Sequence, residues 1–372
     1  ECMASPRTVA TWTAPKNADA VAFLPGGLTN HTALLACATY ELVDGSREGC
    51  LSILAVEGAD MGGSGRLTAL AEFVCPGIFD LKMSPRRAPT SESGSTKQAL
   101  YLACADGTMR KVAGDFHDGT AGLVEEACWH LPGTEGAKPF CLAVDVLGGG
   151  NRNRGVENAS STRAVCGDSQ GSLHECDMNG DKPSVIRSWH GHDLETWVVT
   201  GSLYDEHVMF SGADDCLLKG WDLRMPEAPA FVNKAHTMGV TSVQCSPFDE
   251  HVIATGSYDE ALRLFDVRKP RQELSQLQMG GGVWKVQWHE FKPMIIAACM
   301  HNGFQVVCMD PLEHPPSVEH HASYDRHGMG SALAYGADWL SADMDTDWAL
   351  AGSCSFYDNQ VHVWEVPTAH VP

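Results

Sequence analysis

The chain is built from short runs in which apolar and polar residues alternate, as in Thr8 to Thr13 (T-V-A-T-W-T) and Asp19 to Phe23, with Gly, Pro, Asp or Asn between the runs. A period of two residues predicts β-strands with one buried face, and the breaks predict tight turns. The runs themselves recur. His192 to Asp222 and His236 to Asp266 match at an offset of 44 residues, each holding a His, an alternating stretch, a Ser-Gly or Thr-Gly, an Asp, and six residues later an aromatic followed by Asp. These positions are His192, Asp215, Trp221 and Asp222 in one copy and His236, Asp259, Phe265 and Asp266 in the other.

That layout resembles the WD repeat, a four-stranded blade of about 40 to 45 residues. Weaker copies have third strands ending near Leu54, Val112, Cys176, Cys308 and Trp364. With the two strong copies they predict an all-β, seven-bladed WD-repeat β-propeller occupying residues 1–372 as one domain. The expected turn positions in the weaker copies are Gly49, Asp106, Gln170, Asn302 and Asp358. The last copy lacks an outer strand, and Thr8 to Thr13 has the β-branched content to supply it, closing the ring and removing an exposed edge.

Composition agrees with this class. In 372 residues, 44% are hydrophobic and 20% charged, while 37 Gly and 19 Pro interrupt the chain too often for long helices. A net charge of -21 opposes a phosphate backbone, so nucleic acid is not an expected partner. None of the 14 cysteines falls in a C-x-x-C spacing, and several sit in apolar runs, which reads as small buried hydrophobes in a reducing, cytosolic setting. No window has the apolar length of a membrane span, and the first residues do not read as a secretory leader. On that expectation the acceptor patterns at Asn30 and Asn158 stay unmodified. Residues 86–97, 148–161 and 311–327 read as solvated inserts, and the histidines from His314 to His327 lack metal-ligand spacing, so neither a metal nor another cofactor is expected.

Catalytic motifs give little. Gly167-Asp168-Ser169-Gln170-Gly171 fits G-x-S-x-G, but in repeat register it is a strand-to-strand hairpin, with no helix after it to support an oxyanion. His190-Gly191-His192-Asp193 lacks further metal ligands, and His192 belongs with Asp215 in a brace between blade layers, as His236 does with Asp259. Stacking the innermost strands in register is more informative. One layer around the axis reads Asp19, Phe79, Leu142, Trp197, Thr241, Trp284 and Tyr335. Four rings and a carboxylate around one hole would suit a quaternary ammonium; the alternative is that the rings simply plug the channel.

Several strings are more distinctive than the generic repeat: His236 to Val240, Ala254 to Glu260 with Arg263, Gly281 to Trp284, Ala298 to Gly303, Tyr335 to Trp339 and Cys354 to Asp358. Together they resemble the diphthine methylesterase family of WD-repeat proteins, also called diphthine methyltransferase. The resemblance implies a cytosolic enzyme that hydrolyses the methyl ester of methylated diphthine on a histidine of translation elongation factor 2; independently, a monomer with a transient partner is expected. Diphthine and methanol would be the products. The implied substrate carries a trimethylammonium group, which Phe79, Trp197, Trp284 and Tyr335 would hold, with Asp19 or Asp338 as counter-charge. For the general base, His301 in a turn on the face of the ring layer comes first, with Asp338 and His236 as alternatives. A non-catalytic scaffold for protein complexes is the competing expectation.

Overall fold

The computed structural model describes residues 5–24, 32–58, 64–83, 96–117, 120–133, 136–147, 163–179, 183–310, 313, 315–327, 332–340 and 347–368. The bulk of the inserts 86–97 and 148–161, together with His314, Asn30 and Asn158, lies outside them. Every regular element among the described residues is a β-strand, and no helix is long and apolar enough to cross a membrane.

The strands pair into seven antiparallel sheets of four. Blades 1 to 6 use consecutive strands and begin with the inner strands Ala18–Phe23, Ile78–Met83, Cys141–Val146, Thr196–Gly201, Val240–Cys245 and Lys285–Trp288. Blade 7 takes Ala334–Trp339, Trp348–Ser355 and Gln360–Pro367, then receives Arg7–Thr13 as its outer strand. That strand runs antiparallel to Gln360–Pro367, with Arg7 opposite Glu365 and Thr13 opposite Gln360. The closure expected from T-V-A-T-W-T is therefore present. Side chains reinforce it. The Arg7 guanidinium donates to Glu365 at 2.8 Å, and the Thr8 hydroxyl lies 2.8 Å from the Tyr324 phenol of blade 6, itself 2.9 Å from His362 Nδ1.

The core lies between blades. Met294, Ile296 and Phe304 of blade 6 pack on Trp339, Ala351 and Trp364 of blade 7, and comparable clusters fill the other junctions. The blades approach closely where the second strand carries Gly. A Cβ on Gly212 would come within 2.6 Å of Val240, and one on Gly256 within 2.6 Å of Val283. The axis side is fastened by polar side chains reaching to the next blade's backbone. Asp80 accepts from the Val144 amide, Asp145 from Gly201, Ser242 from Val286 and Asp338 from Phe23.

One turn differs from expectation. Gly49 is not a turn residue but pairs with Tyr40 inside a hairpin whose strands, Thr32–Val43 and Ser46–Glu57, are 12 residues each. The turn falls at Asp44-Gly45, both with positive φ, as a two-residue hairpin loop requires. Lys16 pairs with Glu48 at 2.9 Å and Glu41 at 3.6 Å across the prolonged strands, so pairing continues past the point where the other blades turn.

Candidate functional site

Six of the seven inner strands slip register by one residue near their start, and the residue skipped in each is a member of the stacked layer. The slips fall at Ala18/Ala20, Ile78/Asp80, Cys141/Ala143, Thr196/Val198, Val240/Ser242 and Ala334/Gly336. Asp19, Phe79, Leu142, Trp197, Thr241 and Tyr335 are thus bulge residues, left out of the ladder and turned to the axis. Trp284 precedes its inner strand and donates its amide to Ala298 at 2.8 Å. All seven line one axial cavity of about 470 Å³, so the layer read from sequence is assembled.

The aromatic lining exceeds the four expected rings. Ring centroids run from Phe140 to Phe79 at 6.1 Å, Phe79 to Tyr40 at 4.9 Å, and Tyr40 to Phe356 at 4.9 Å. The arc continues from Phe356 to Tyr335 at 4.9 Å, Tyr335 to Trp284 at 4.8 Å, and Trp284 to Trp197 at 5.6 Å. Tyr258 adds a further ring 5.8 Å from Trp284. Phe356 stands behind the lining as the link between Tyr40 and Tyr335, while the other rings of the arc face the cavity. Ring faces are negative, so such an aromatic arc attracts a cation that hydrogen-bonding groups cannot hold. Tyr40, Phe140, Tyr258 and Phe356 lie in second strands, turns and blade connections, outside the inner-strand register. Tyr258 and Phe356 do occur in the distinctive strings Ala254 to Glu260 and Cys354 to Asp358.

Charges enter beside the rings. Lys285 Nζ sits 3.2 Å from Asp80 Oδ1, and the Arg47 guanidinium lies 4.5 Å from the Phe140 ring centre. Asp19 is 3% exposed and, among the described residues, makes no side-chain hydrogen bond. Burial holds its carboxyl well above the usual carboxylate range, the charge of Asp80 pushes the same way, and Lys285 opposes both. Tyr40 and Tyr335 are likewise pushed up, first by burial and then by Asp19, and Tyr258 by burial, then Asp214 and then Asp19, so all three remain neutral hydroxyl donors.

Asp338 takes a different place. It lines a second chamber of about 290 Å³ on the other side of the belt formed by Asp19, Asp80, Trp284 and Lys285. There its Oδ2 accepts the Phe23 amide at 2.8 Å, locking blade 7 to blade 1. Lys82 lines both chambers. Burial pulls its ammonium down, but Asp145, Asp80 and Asp338 outweigh that and keep its pKa raised.

His236 is consumed by the brace. Its Nδ1 is 3.1 Å from Asp259 and its Nε2 2.9 Å from the Thr255 hydroxyl, away from the cavity. Burial lowers its pKa, with Asp259 opposing. His192 repeats the arrangement more fully. Trp221 Nε1 donates to Ser211 Oγ at 2.8 Å, that hydroxyl reaches His192 Nε2 at 2.7 Å, and His192 Nδ1 meets Asp215 at 3.0 Å. An indole can only donate and a carboxylate only accept, which fixes the direction of the chain. His301 is exposed in the turn between Met294–Ala298 and Phe304–Asp310; it is on the cavity's face but lines neither chamber. Ser169 of the G-x-S-x-G match accepts the Phe140 amide at 2.9 Å and so positions a strand start. Among the described residues no group of three or more His, Cys, Asp or Glu is placed to hold a metal, and the described cysteines are all free.

Seven four-stranded blades, a ring closed by the N-terminal strand and Asp-His-Ser/Thr braces define a WD-repeat β-propeller, and residues 228–266 match the family described as "WD domain, G-beta repeat". A solved chain described as "Crystal Structure of Mitotic Checkpoint Complex" shares the fold, with a TM-score of 0.64 at 15% identity over 97% of this chain and 95% of that one.

Within this class the chain is similar to proteins named diphthine methyltransferase. It is 41% identical to that of Mus musculus over 181 residues, which is 48% of this chain and 37% of the relative. The Homo sapiens protein is 38% identical over 203 residues, 54% of this chain and 44% of the relative. The Dictyostelium discoideum homologue is 34% identical over 224 residues, 56% and 60% of the two chains. The chain thus spans roughly half the length of these relatives.

Proposed function

We propose that the protein is a carboxylic ester hydrolase that removes the methyl ester from methylated diphthine on translation elongation factor 2, a cytosolic protein substrate, releasing methanol. The observation that carries this reading is the axial cavity, in which an aromatic arc surrounds a buried carboxylate. A trimethylammonium ion fits such a lining because its charge is spread over methyl groups that cannot hydrogen-bond and so rest against ring faces. Phe79, Trp197, Trp284 and Tyr335 hold the cation, Asp19 balances it, and the ester lies on the same belt beside Lys285. Of the residues considered for the base, His236 is engaged in a brace, Asp338 fastens a backbone amide and His301 lines neither chamber.

A scaffold role is favoured by one feature, the exposed Leu194, Met238 and Tyr357 in connections on the cavity's face. One assay separates the two readings. Purified protein mixed with methyl-esterified elongation factor 2 is expected to release methanol and leave the factor lighter by one methylene. Binding with no methanol would leave the scaffold and remove the hydrolase.

A further inference from the structure

An ester bound in the axial cavity needs a base for the attacking water and a donor for the oxyanion, and neither comes from the histidines that the repeat supplies. The cavity holds one carboxylate that is buried, aimed at the axis by a bulge and without a hydrogen-bond partner among the described residues. The geometry points to Asp19 as the general base of the hydrolysis, made ready by the substrate's own cation, with Lys285 as the donor that meets the oxyanion. This rests on the ester-hydrolase reading above.

The groups facing Asp19 explain why the cation matters. Asp80 comes from the inner strand of blade 2, Lys285 from that of blade 6, Tyr335 from blade 7, Tyr40 and Cys37 from the second strand of blade 1, Tyr258 from a turn of blade 5, and Cys354 from the second strand of blade 7. Lys285 is drawn toward Asp80 at 3.2 Å, and the other charged groups lining the cavity are engaged or further round it: Lys82 is held by Asp145, Asp80 and Asp338, Arg47 lies over the Phe140 ring, and Glu195 comes from the connection into blade 4. A lone anion in this setting favours its protonated form, as the raised pKa of Asp19 reflects. A quaternary ammonium seated among the rings supplies the missing positive charge, and the proton leaves. Binding therefore creates the base where the ester is held, while an unoccupied site keeps a neutral acid.

The step balances. Water oxygen bonds to the ester carbonyl carbon and one water proton passes to Asp19. The carbonyl electron pair moves onto oxygen, where Lys285 Nζ and a neutral tyrosine hydroxyl receive it. The carbon–methoxy bond then breaks, and the leaving methoxide takes the proton back from Asp19 and departs as methanol. The product acid ionises, releasing one proton to solvent, and Asp19 is again ready.

The test has two arms. In the first, tetramethylammonium chloride is titrated into wild-type protein and Asp19→Asn by calorimetry in two buffers of different ionisation enthalpy. Wild type is expected to release up to one proton per site and to bind more tightly as pH rises; Asp19→Asn should release none and bind with no dependence on pH. In the second, methanol release from methyl-esterified elongation factor 2 should fall about 100-fold or more in Asp19→Asn, with loss of the rising pH limb, and about 100-fold in Lys285→Met. Thermal melts establish that each variant is folded. If wild type hydrolyses and Asp19→Asn retains its rate within about threefold with an unchanged pH profile, Asp19 is not the base although the function stands. If wild type releases no methanol, the ester reading and the base assignment fall together. Proton release on tetramethylammonium binding then decides separately whether a cation ionises Asp19, and its absence in wild type overturns that coupling.

Discussion

Asp19 is a carboxylate placed where folding alone gains nothing from it. A buried acid without donors costs stability whenever it ionises. Its pKa is raised in the folded chain above the usual value of about 3.9, so between those two values the folded state holds a proton that the unfolded state has lost. Stability then falls as pH rises through that window. Asp19→Asn removes this penalty while keeping the shape, and it should raise the melting temperature at neutral pH and flatten the dependence above about pH 4. A variant that melts lower than wild type at pH 7 would show that Asp19 is satisfied in the fold. At this scale the sequence was legible in part. Alternation identified Asp19, Phe79, Trp197 and Tyr335 as axial, but strict alternation turns the next residue away. The bulge in blade 2 sends two successive residues toward the cavity, which is why Asp80 lines it beside Phe79; in blade 6, which has no bulge, Lys285 opens the inner strand directly after Trp284, and neither pair could be read from a period of two.

Blade 7 shows how the repeat is maintained where its signature is hardest to read. Trp364 Nε1 donates to Ser353 at 3.0 Å, Ser353 reaches His327 Nε2 at 2.9 Å, His327 Nδ1 reaches Ser355 at 2.9 Å, and Ser355 bonds Asp358. One added serine lengthens the Trp-Ser-His-Asp chain seen in blade 4. In the sequence His327 reads as part of a His-rich insert, because the stretch around residues 341–346 lengthens its spacing to Trp364 beyond that of His192 to Trp221. The blade 1 hairpin was misplaced for a related reason: Gly49 looks like a turn residue, yet Asp44-Gly45 is the pair that tolerates positive φ.

His327 stacks on His362 at 3.9 Å; burial, reinforced by His362, lowers the pKa of His327 to about 2, and burial, opposed by Asp358, lowers that of His362 to about 4. Both are depressed below the unfolded value of about 6.5, so the unfolded chain binds more protons in between. Stability is full above pH 6.5 and is lost as pH falls. His362 alone accounts for about 3 kcal/mol by pH 4, at about 1.4 kcal/mol per unit. The closing strand depends on the same histidine through Tyr324 and Thr8. Urea unfolding between pH 7 and 4 should show this loss, and His362→Gln should make it shallower. Equal slopes in the two proteins would place the acid sensitivity elsewhere.

For the whole molecule, the ring is the device that turns seven distant stretches of sequence into one lining. Each inner strand contributes one residue to each level of the channel, and the polar locks from Asp80, Asp145, Ser242 and Asp338 hold neighbouring strands at a fixed spacing. The fold class, the number of blades, the closing strand and the axial layer were all readable because they depend on periodicity. The further rings of the arc, Tyr40 from a second strand and Phe140, Tyr258 and Phe356 from turns and connections, depend on strand lengths, loop lengths and blade contacts that periodicity does not encode.

The central claim is that this axial wall binds the trimethylammonium end of an ester substrate. Trp284 bears on it most directly, because its ring contacts Trp197, Tyr258 and Tyr335 at centroid distances of 5.6, 5.8 and 4.8 Å. Steady-state hydrolysis of methyl-esterified elongation factor 2 by wild type and Trp284→Ala is the decisive measurement. A cation–π contact of about 0.5 to 2 kcal/mol corresponds to a rise in KM of about 2- to 30-fold, in a variant that stays folded. Unchanged KM and kcat in a folded Trp284→Ala protein would contradict the account and move the ester-binding site off the propeller axis.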